Sequence, residues 1–424
     1  MKLPGFFSKF VKINRVSSDY VLALDIGTEV VKALIFKIEA NEGKGYITGV
    51  GRAEQNRGDM TGGSVADIGG VIRTCEAAIS QAEEQAEVRP QQCIVGIAGE
   101  LVKGTTTVIR YERANPRVKI EIPELKNIVQ KIQWKAFDKI RQQLAWETGQ
   151  SEIDVRLINA ALVDVKIDGY RITNPLGFQG REVAISVFNA YAPMVHLGAL
   201  QSITSGLGLD LLSIVAEPYA VARCLGMDNE TEFSAIFIDV GGGTSDIAVV
   251  REGGIEGAKM FALGGRAFTK RISSELSISF DEAEKIKIQF SGKKISLDMA
   301  RNIEQILRND AEVWLSGVEL SLSEFSASDL LPSKILLCGG GSKLPVIKKA
   351  LQGRNWLKSL PFSKRPEIRF IQPQDVANII DHTGELTETQ DVTPMGLANL
   401  ALDLAGEEGA LASILRRAVR VIQN

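Results

Sequence analysis

The chain has 424 residues and a formal net charge of −3, with 45% hydrophobic and 24% charged residues. This length predicts two or more domains, because one hydrophobic core rarely extends over so many residues. The near-neutral charge argues against a global basic field for nucleic-acid binding. Four widely spaced cysteines and only two histidines argue against a metal cluster, a disulfide framework and a histidine-based triad, and favour a reducing cytoplasm.

The first part of the chain predicts a short arm followed by a β-hairpin. Residues 1–19 are basic and aromatic, without the long apolar run and cleavage site of a signal peptide. No stretch reaches the roughly 18–20 apolar residues that a membrane span needs. Two apolar strands with an Asp-Ile-Gly turn occupy Val21–Phe36, and a strand at Gly45–Gly51 follows. Apolar residues at steps of three and four then predict a helix over Val65–Glu87.

The middle of the chain predicts an inserted module and then a second hairpin. Residues 90–193 read as a small α+β unit, with a helix from Pro123 and strands at Arg156–Ile167 and Val183–Ala190. The segment Ala235–Val250 then repeats the order of the first hairpin: strand, aspartate, apolar residue, glycine, turn and strand. This repetition predicts two domains of the same design.

The matched hairpins predict a nucleotide site between the two domains. Glycine lacks Cβ, so backbone N–H groups can approach phosphate oxygens closely. Asp25 and Asp239 each end a strand, and we expect them to reach Mg²⁺ through bound waters. One such motif alone is more often an ordinary turn, but a matched pair is more specific. The residues expected at the phosphates are Gly27, Thr28, Glu29, Gly241, Gly242, Gly243 and Thr244.

A third glycine turn is expected on the adenosine side of the site. It lies between a strand and a helix, where backbone donors and the helix dipole favour an anion. There is no Walker motif and no GxGxxG after a strand, so P-loop and Rossmann folds lose their main support. The turn consists of Gly339, Gly340, Gly341 and Ser342.

Two further pairs are candidates for chemistry and for nucleoside contacts. Glu217, just before Pro218, could orient a water in line with the γ-phosphate, and with Asp239 it forms the expected catalytic pair. Glu284 and Lys287 share a helical face and could bracket a ribose and an adenine. The alternatives are an exposed turn residue for Glu217 and a solvated ion pair for the other two.

Together these segments resemble the actin/Hsp70/sugar-kinase ATPase superfamily. DIGTEVVK is similar to its phosphate-1 loop, DVGGGTSD to its phosphate-2 loop and GGGSKLP to its adenosine loop. AEPYAVA and TPMGLANLA resemble its two connecting helices, and Ala283–Lys287 resembles the nucleotide-contacting helix of bacterial actins. The resemblance implies an α/β, actin-like ATPase fold of two duplicated ribonuclease-H-like domains, with ATP and Mg²⁺ in the central cleft.

Within the superfamily the chain is most similar to FtsA-type cell-division actins. The similar segments are GGSVADIGGVIRTCEAAISQAEEQA at 62–86 and ITNPLGFQGREVAISVFNA at 172–190. The resemblance implies an inserted α+β subdomain, 1C, of the SHS2 type. The implied units are an arm at 1–19, subdomain 1A at 20–89 and 194–232, 1C at 90–193, 2A at 233–264 and 333–393, 2B at 265–332, a return helix to 1A at 394–408 and an amphipathic C-terminal helix at 409–424.

The terminal segment predicts an in-plane membrane helix, as the resemblance also implies. Its apolar residues recur at helical steps and its arginines lie largely on other faces, which suits an anionic leaflet. A helix packed on the protein body is the alternative. The residues expected at the membrane are Leu411, Ile414, Leu415, Arg416, Arg417, Val419, Arg420 and Ile422.

The resemblance implies a scaffold that is cytoplasmic and peripheral on the inner face of the cell membrane. It would polymerise and recruit division proteins such as the tubulin-like FtsZ, without binding nucleic acid. ATP would act mainly as an assembly switch, which leaves a slow ATPase activity open. The loop at 291–294 is short for the family, and this leaves the FtsZ contact open. The alternative is an adaptor resembling PilM of type IV pilus assembly; a sugar kinase would need larger inserted domains.

Overall fold

The computed structural model describes residues 19–148, 154–225, 233–325 and 330–405. The first domain begins with an antiparallel meander of β1 (Tyr20–Ile26), β2 (Val30–Glu39) and β3 (Lys44–Glu54). The interior of β1 is fully buried, as expected for a strand covered on both faces. The predicted hairpin therefore forms, and its turn lies at one end of the sheet.

A short hairpin and a long helix follow the meander. They are β4 (Met60–Thr61), β5 (Ser64–Val65) and α1 (Ile68–Ala86). The helix begins three residues later than its apolar pattern predicts, because the Asp67 side chain accepts a 3.0 Å hydrogen bond from the Gly69 amide and caps it. The chain then returns to the sheet as β6 (Gln92–Ile97), parallel to β1.

The inserted segment forms its own layer of sheet and helix. Its elements are β7 (Lys103–Glu112), α2 (Ile122–Thr148), β8 (Val155–Ile167), β9 (Tyr170–Arg171) and β10 (Glu182–Pro193). Strand β10 lies between β7 and β8, antiparallel to both. Helix α2 buries Leu125, Ile128 and Ile132 against Ile185 and Val187 of β10, so the insert has its own core.

The remaining elements complete the two domains. The first domain continues with α3 (Met194–Gly206), β11 (Asp210–Ala216) and α4 (Glu217–Arg223). The second consists of β12 (Ala235–Val240), β13 (Ser245–Arg251), β14 (Gly254–Phe261), α5 (Gly265–Leu276), α6 (Phe280–Ser291), α7 (Leu297–Ser323), β15 (Lys334–Cys338), α8 (Pro345–Gln352) and β16 (Glu367–Phe370). The chain then returns to the first domain with β17 (Ile379–Asp381) and α9 (Val392–Ala405).

The two domains repeat one strand order. The first sheet runs β11-β6-β1-β2-β3-β17, and the second begins β16-β15-β12-β13-β14. In each, an antiparallel meander is extended by two parallel strands on the side of its first strand. The first five strands of each sheet therefore superimpose in order and direction, which is the duplication that the matched hairpins predict.

The sheet of the insert is continuous with the sheet of the second domain. The second sheet continues from β14 to β7, β10, β8 and β9. The joint consists of two residue pairs, Gly257 with Thr105 and Ala258 with Gly104. A Cβ on Gly104 would lie 2.6 Å from the Phe188 ring and 3.0 Å from the Ala258 methyl group, so this close approach requires glycine.

Candidate nucleotide-binding cleft

The two hairpins place charged residues at equivalent positions. Asp25 is the cross-strand partner of Lys32 in the first hairpin, and Asp239 is the partner of Asp246 in the second. The Lys32 ammonium donates a 2.8 Å hydrogen bond to Asp25 Oδ2. Although burial lowers the pKa of Lys32, the charge and hydrogen bond of Asp25 outweigh it and the net pKa is raised. Lys32 is therefore a cation throughout the neutral pH range.

Several buried carboxyl groups share the floor of the cleft. Glu217 begins α4 there, next to the end of β6, since a Cβ on Gly96 would lie 2.8 Å from its Oε1. Burial raises the pKa of Glu217 well above its usual value, and the nearby aspartates reinforce the shift. Burial likewise raises the pKa values of Asp246 and Asp239. Negative charge is thus concentrated at a site with one lysine beside it.

This set of side chains fits a hydrated magnesium ion. Asp246 Oδ1 is buried and has no hydrogen-bond partner, so an electropositive group would relieve it. Among the described residues, no three His, Cys, Asp or Glu side chains come close enough together to hold a metal directly. Mg²⁺ usually keeps several waters, so carboxylates can reach it through those waters. Such a site would give Asp246 Oδ1 a partner without requiring three direct protein ligands.

The two phosphate loops meet at their tips. A Cβ on Gly243 would lie 2.6 Å from Thr28 Oγ1, and one on Gly242 would lie 2.4 Å from Glu29 Cγ. The first hairpin belongs to one domain and the second to the other. The predicted loops therefore face each other across the cleft, and the absence of side chains on the second loop permits the contact.

The Glu29 carboxylate pairs with Arg266 rather than projecting freely into the cleft. Arg266 Nε on α5 donates to Glu29 Oε1. Its other nitrogens donate to the main-chain oxygens of Met60 and Thr28, each at 3.2 Å. This guanidinium joins the second domain to two loops of the first. The sequence pattern did not indicate Arg266, because its partners lie more than two hundred positions away in the chain.

The third glycine turn lies beside Asp239 and has little room for side chains. Gly339 has φ of 80°, and a Cβ there would lie 2.0 Å from Asp239 Oδ1. The Gly339 carbonyl accepts hydrogen bonds from Ser342 Oγ at 2.7 Å and Thr389 Oγ1 at 3.0 Å. The tight turn leaves Gly340 as its exposed residue, while Gly341 and Ser342 are buried. The turn is thus held close to the second hairpin, and its contact with an adenosine stays a prediction.

Glu284 and Lys287 pair with each other and with the start of α5. Lys287 Nζ lies 2.7 Å from Glu284 Oε2 and donates to Thr269 Oγ1 at 2.8 Å and to the Gly265 carbonyl at 3.1 Å. A Cβ on Gly265 would lie 3.6 Å from the carbonyl of Gly241 in the second phosphate loop. The pair is neither a freely solvated surface pair nor remote from the cleft, and its contact with a nucleoside stays a prediction.

Thr393 completes the cleft from the first turn of α9. Its hydroxyl donates to Asp239 Oδ2, and the side chains of both residues are buried. The sequence identified α9 as a connecting helix without indicating this contact. Lys32 and Asp246 were also missed, although each follows its partner aspartate by seven positions in a hairpin, a spacing that predicts cross-strand pairing.

The expected membrane residues from Leu411 to Ile422 and the basic arm at 1–18 lie outside the described residues. Within the described part of the chain, every helix is too short or too polar to cross a bilayer. The prediction of an in-plane terminal helix therefore stays a prediction.

The chain is similar to bacterial cell-division proteins along most of its length. The sequence model of the family "Cell division protein FtsA" matches residues 236–385. FtsA of Pseudomonas aeruginosa is 24% identical over 352 residues, covering 77% of this chain and 79% of that protein. FtsA of Streptococcus pneumoniae is 23% identical over 426 residues, covering 96% and 89%, and FtsA of Bacillus subtilis is 24% identical, covering 79% and 77%.

A solved structure shows the same fold. The PilM–PilN type IV pilus biogenesis complex aligns with a TM-score of 0.64 and 16% identity, covering 90% of this chain and 98% of that one. At this identity the likeness concerns the fold alone. The fold is the predicted actin-like one, with two duplicated domains and an α+β insert. In sequence the chain is similar to FtsA proteins, which are bacterial cell-division proteins.

Proposed function

We propose that this protein is an ATP-binding scaffold of cell division that assembles on the inner face of the cytoplasmic membrane. The observation that carries the proposal is the pair of duplicated hairpins, whose aspartates Asp25 and Asp239 end facing strands on either side of one cleft. The loops at the tips of both hairpins contain glycine and would supply backbone donors for phosphates. Actin-like ATPases use such an arrangement to hold a nucleotide between two domains.

The residues of the cleft would bind different parts of Mg–ATP. Lys32 and the loop amides at Gly27 and Gly243 would bind phosphate oxygens, and the turn at Gly340 would border the adenosine. A magnesium ion, when bound, would neutralise charge on the phosphates, and Asp25 and Asp239 would hold its waters. These residues bind and orient the nucleotide, which suits ATP as a switch between two conformations.

The protonation state of Glu217 would depend on whether the cleft is loaded. Its raised pKa keeps its carboxyl group protonated over more of the acidic pH range than usual. A protonated carboxyl donates a hydrogen bond and does not accept the proton of an attacking water. Ion binding nearby would lower this pKa, so we propose that Glu217 becomes a base only in the loaded cleft.

Calorimetric titration with Mg–ATP tests the nucleotide site. We expect Asp239→Ala to weaken binding by at least tenfold, since a buried, charged group at the site is lost. Asp310→Ala is the matched control, because Asp310 pairs with Arg271 on the outer side of the second domain. Equal affinity in Asp239→Ala and the control would remove the site assignment.

The membrane part of the proposal is supported by the terminal sequence pattern and by the FtsA relationship. We expect full-length protein to cosediment with vesicles that contain anionic lipid and to be released when residues 410–424 are deleted. Ile414→Glu is expected to act like the deletion, since it places a charge on the predicted apolar face. Retained cosedimentation in both variants would show that this segment is not the anchor.

Self-association and a tubulin-like partner form the last part of the proposal. One terminal amphipathic helix would give only weak membrane affinity. Several helices in one polymer would bind together, and this avidity would be needed for stable attachment. We expect ATP-dependent filaments on a lipid monolayer, visible by negative-stain electron microscopy, and recruitment of an FtsZ-type polymer to them. A protein that stays monomeric on the lipid would contradict the scaffold role. The pilus-adaptor alternative is supported by fold only, whereas the sequence matches favour division.

A further inference from the structure

The segment from Thr387 to Thr393 leads from β17 into α9 of the first domain and contacts both domains. Thr389 Oγ1 donates to the carbonyl of Gly339 in the second domain at 3.0 Å. Asp391 is buried and accepts a 3.0 Å hydrogen bond from Arg52 of the first domain. Its other oxygen accepts from the amides of Thr387 and Glu388 at 3.2 and 2.9 Å. The segment is therefore ordered and forms a contact between the two domains.

The Asp239 carboxylate has contacts at both of its oxygens beside this segment. Oδ2 accepts the hydrogen bond from the Thr393 hydroxyl. Oδ1 faces Gly339, where a Cβ would approach to 2.0 Å, so no other side chain fits on that side. The Thr393 hydroxyl at one oxygen and the close approach of Gly339 to the other restrict the orientation of the carboxylate, to which the Cys338 side chain also bonds. Asp239 belongs to the second domain, whereas α9 packs on β1, β2 and β6 of the first.

From its contact with Asp239, helix α9 extends along the sheet of the first domain. Near its start, Leu397 lies 3.1 Å from the position of a Cβ on Gly96, at the cleft end of β6. Near its end, Leu402 lies 3.4 Å from the corresponding position on Gly45, at the opposite end of the sheet. Its 14 residues are about 20 Å of helix. Gly396 permits close crossing with α4, since a Cβ there would lie 3.0 Å from the Ala220 carbonyl.

We propose that Thr393 is a positioning residue for Asp239, and that its hydroxyl couples occupancy of the cleft by Mg–ATP to the position of α9. The inference rests on the proposed nucleotide function and adds a residue and a route of coupling to it. Asp239, held by the Thr393 hydroxyl, would then accept hydrogen bonds from the ion's waters when Mg–ATP is bound. Because α9 ends on the side of the first domain remote from the cleft, its position would carry the state of the nucleotide to that side.

Calorimetry on full-length variants tests the positioning role. We expect Thr393→Val, which keeps the shape and removes the hydroxyl, to bind Mg–ATP about tenfold more weakly. Thr393→Ser restores the hydroxyl and is expected to bind within about twofold of the wild type. With metal-free ATP in EDTA, the wild type and Thr393→Val are expected to bind with the same affinity. The orientation of the Asp239 carboxylate affects binding only through the ion.

Thr74→Val is the matched control. Thr74 is also a buried threonine in a helix of the first domain, and its hydroxyl bonds to the Gly70 carbonyl at 3.3 Å, far from Asp239 in the fold. This variant is expected to bind Mg–ATP as the wild type does. Equal affinity in Thr393→Val and the wild type, or a Thr393→Ser variant as weak as Thr393→Val, would overturn the positioning role.

Hydrogen exchange tests the coupling to α9. In the wild type, Mg–ATP is expected to slow exchange of the amides in α9, and in Thr393→Val this protection is expected to disappear even at saturating nucleotide. Equal protection of α9 in both proteins would overturn the coupling. A wild type that fails to bind Mg–ATP would sink the proposed function and this inference together. A wild type that binds beside an unaffected Thr393→Val would sink the inference alone.

Discussion

Lys32 donates a 2.8 Å hydrogen bond to the carboxylate of Asp25, its cross-strand partner in the first hairpin. The equivalent position in the second hairpin carries Asp246, opposite Asp239. Duplication of one strand–turn–strand unit has thus produced an ion pair in one copy and two acids in the other. The asymmetry places a lysine beside the aspartate of the first hairpin and a second carboxyl group beside the aspartate of the second.

Removing the Lys32 charge is expected to destabilise the nucleotide-free protein. Lys32→Met keeps most of the side-chain volume but leaves Asp25 buried without its partner, which costs roughly 3 kcal/mol in typical cases. Urea unfolding followed by circular dichroism measures the change. Lys37→Met is the control on the same strand, because Lys37 pairs with Glu39 at the surface and is expected to change little. Equal midpoints for the two variants would contradict a structural role for the Lys32–Asp25 pair.

The stability of the nucleotide-free protein is expected to fall as the pH rises. Burial, followed by the charge of Asp239, raises the pKa of Asp246 above its value in the unfolded chain. A group with a raised folded pKa contributes stability that is fully present below the unfolded pKa and is lost as the pH rises through the folded pKa. Urea midpoints should therefore fall as the pH rises from about 4, near the unfolded pKa, into the alkaline range.

Asp246→Asn tests the origin of this pH dependence. The amide cannot ionise, so the variant is expected to show a flatter slope and a higher urea midpoint than the wild type at the alkaline end. Asp310→Asn, on the outer side of the second domain, should leave the slope unchanged. If Asp246→Asn retained the full slope, the dependence would have to come from other groups.

Arg266 is expected to slow the opening of the cleft. Its guanidinium bonds to Glu29 and to two main-chain oxygens of the first domain, and charge-assisted hydrogen bonds of this kind contribute about 1.5–3 kcal/mol. Arg266→Ala should therefore release a fluorescent ATP analogue at least about tenfold faster in stopped-flow chase experiments. Arg271→Ala is matched to it on the same helix, since Arg271 pairs with Asp310 within the second domain. Identical release rates would show that Arg266 does not hold the domains together.

Two glycines with similar backbones are expected to respond differently to alanine. Gly339 and Gly384 have φ of 80° and 72°, so both substitutions introduce backbone strain of about 1 kcal/mol. Only at Gly339 would the new Cβ collide with Asp239 Oδ1, whereas at Gly384 it meets open space. Thermal unfolding and Mg–ATP titration should show mild destabilisation with normal binding for Gly384→Ala, and lost binding for Gly339→Ala. Normal binding by Gly339→Ala would contradict the close fit of this turn.

The sequence predicted the parts of the fold that depend on local pattern. The two hairpins, the helix after Asp67 and the glycine turn at Gly339 follow from strand periodicity, capping and backbone freedom, which neighbouring residues determine. It did not predict Arg266 or Thr393, because each acts on a partner more than 150 positions away and an isolated arginine or threonine has no local signature. Contacts of this kind depend on how the domains are placed, and tertiary packing decides that.

The joint between β14 and β7 has a mechanical consequence. The insert is covalently part of the first domain, yet its sheet is hydrogen-bonded to the second domain through two residue pairs at Gly257 and Ala258. A rotation that widens the cleft must either move the insert together with the second domain or break the hydrogen bonds between β14 and β7. The insert is therefore attached to both domains: covalently to the first and through hydrogen bonds to the second. A partner bound to the insert would therefore respond to the angle between the two domains without contacting the nucleotide.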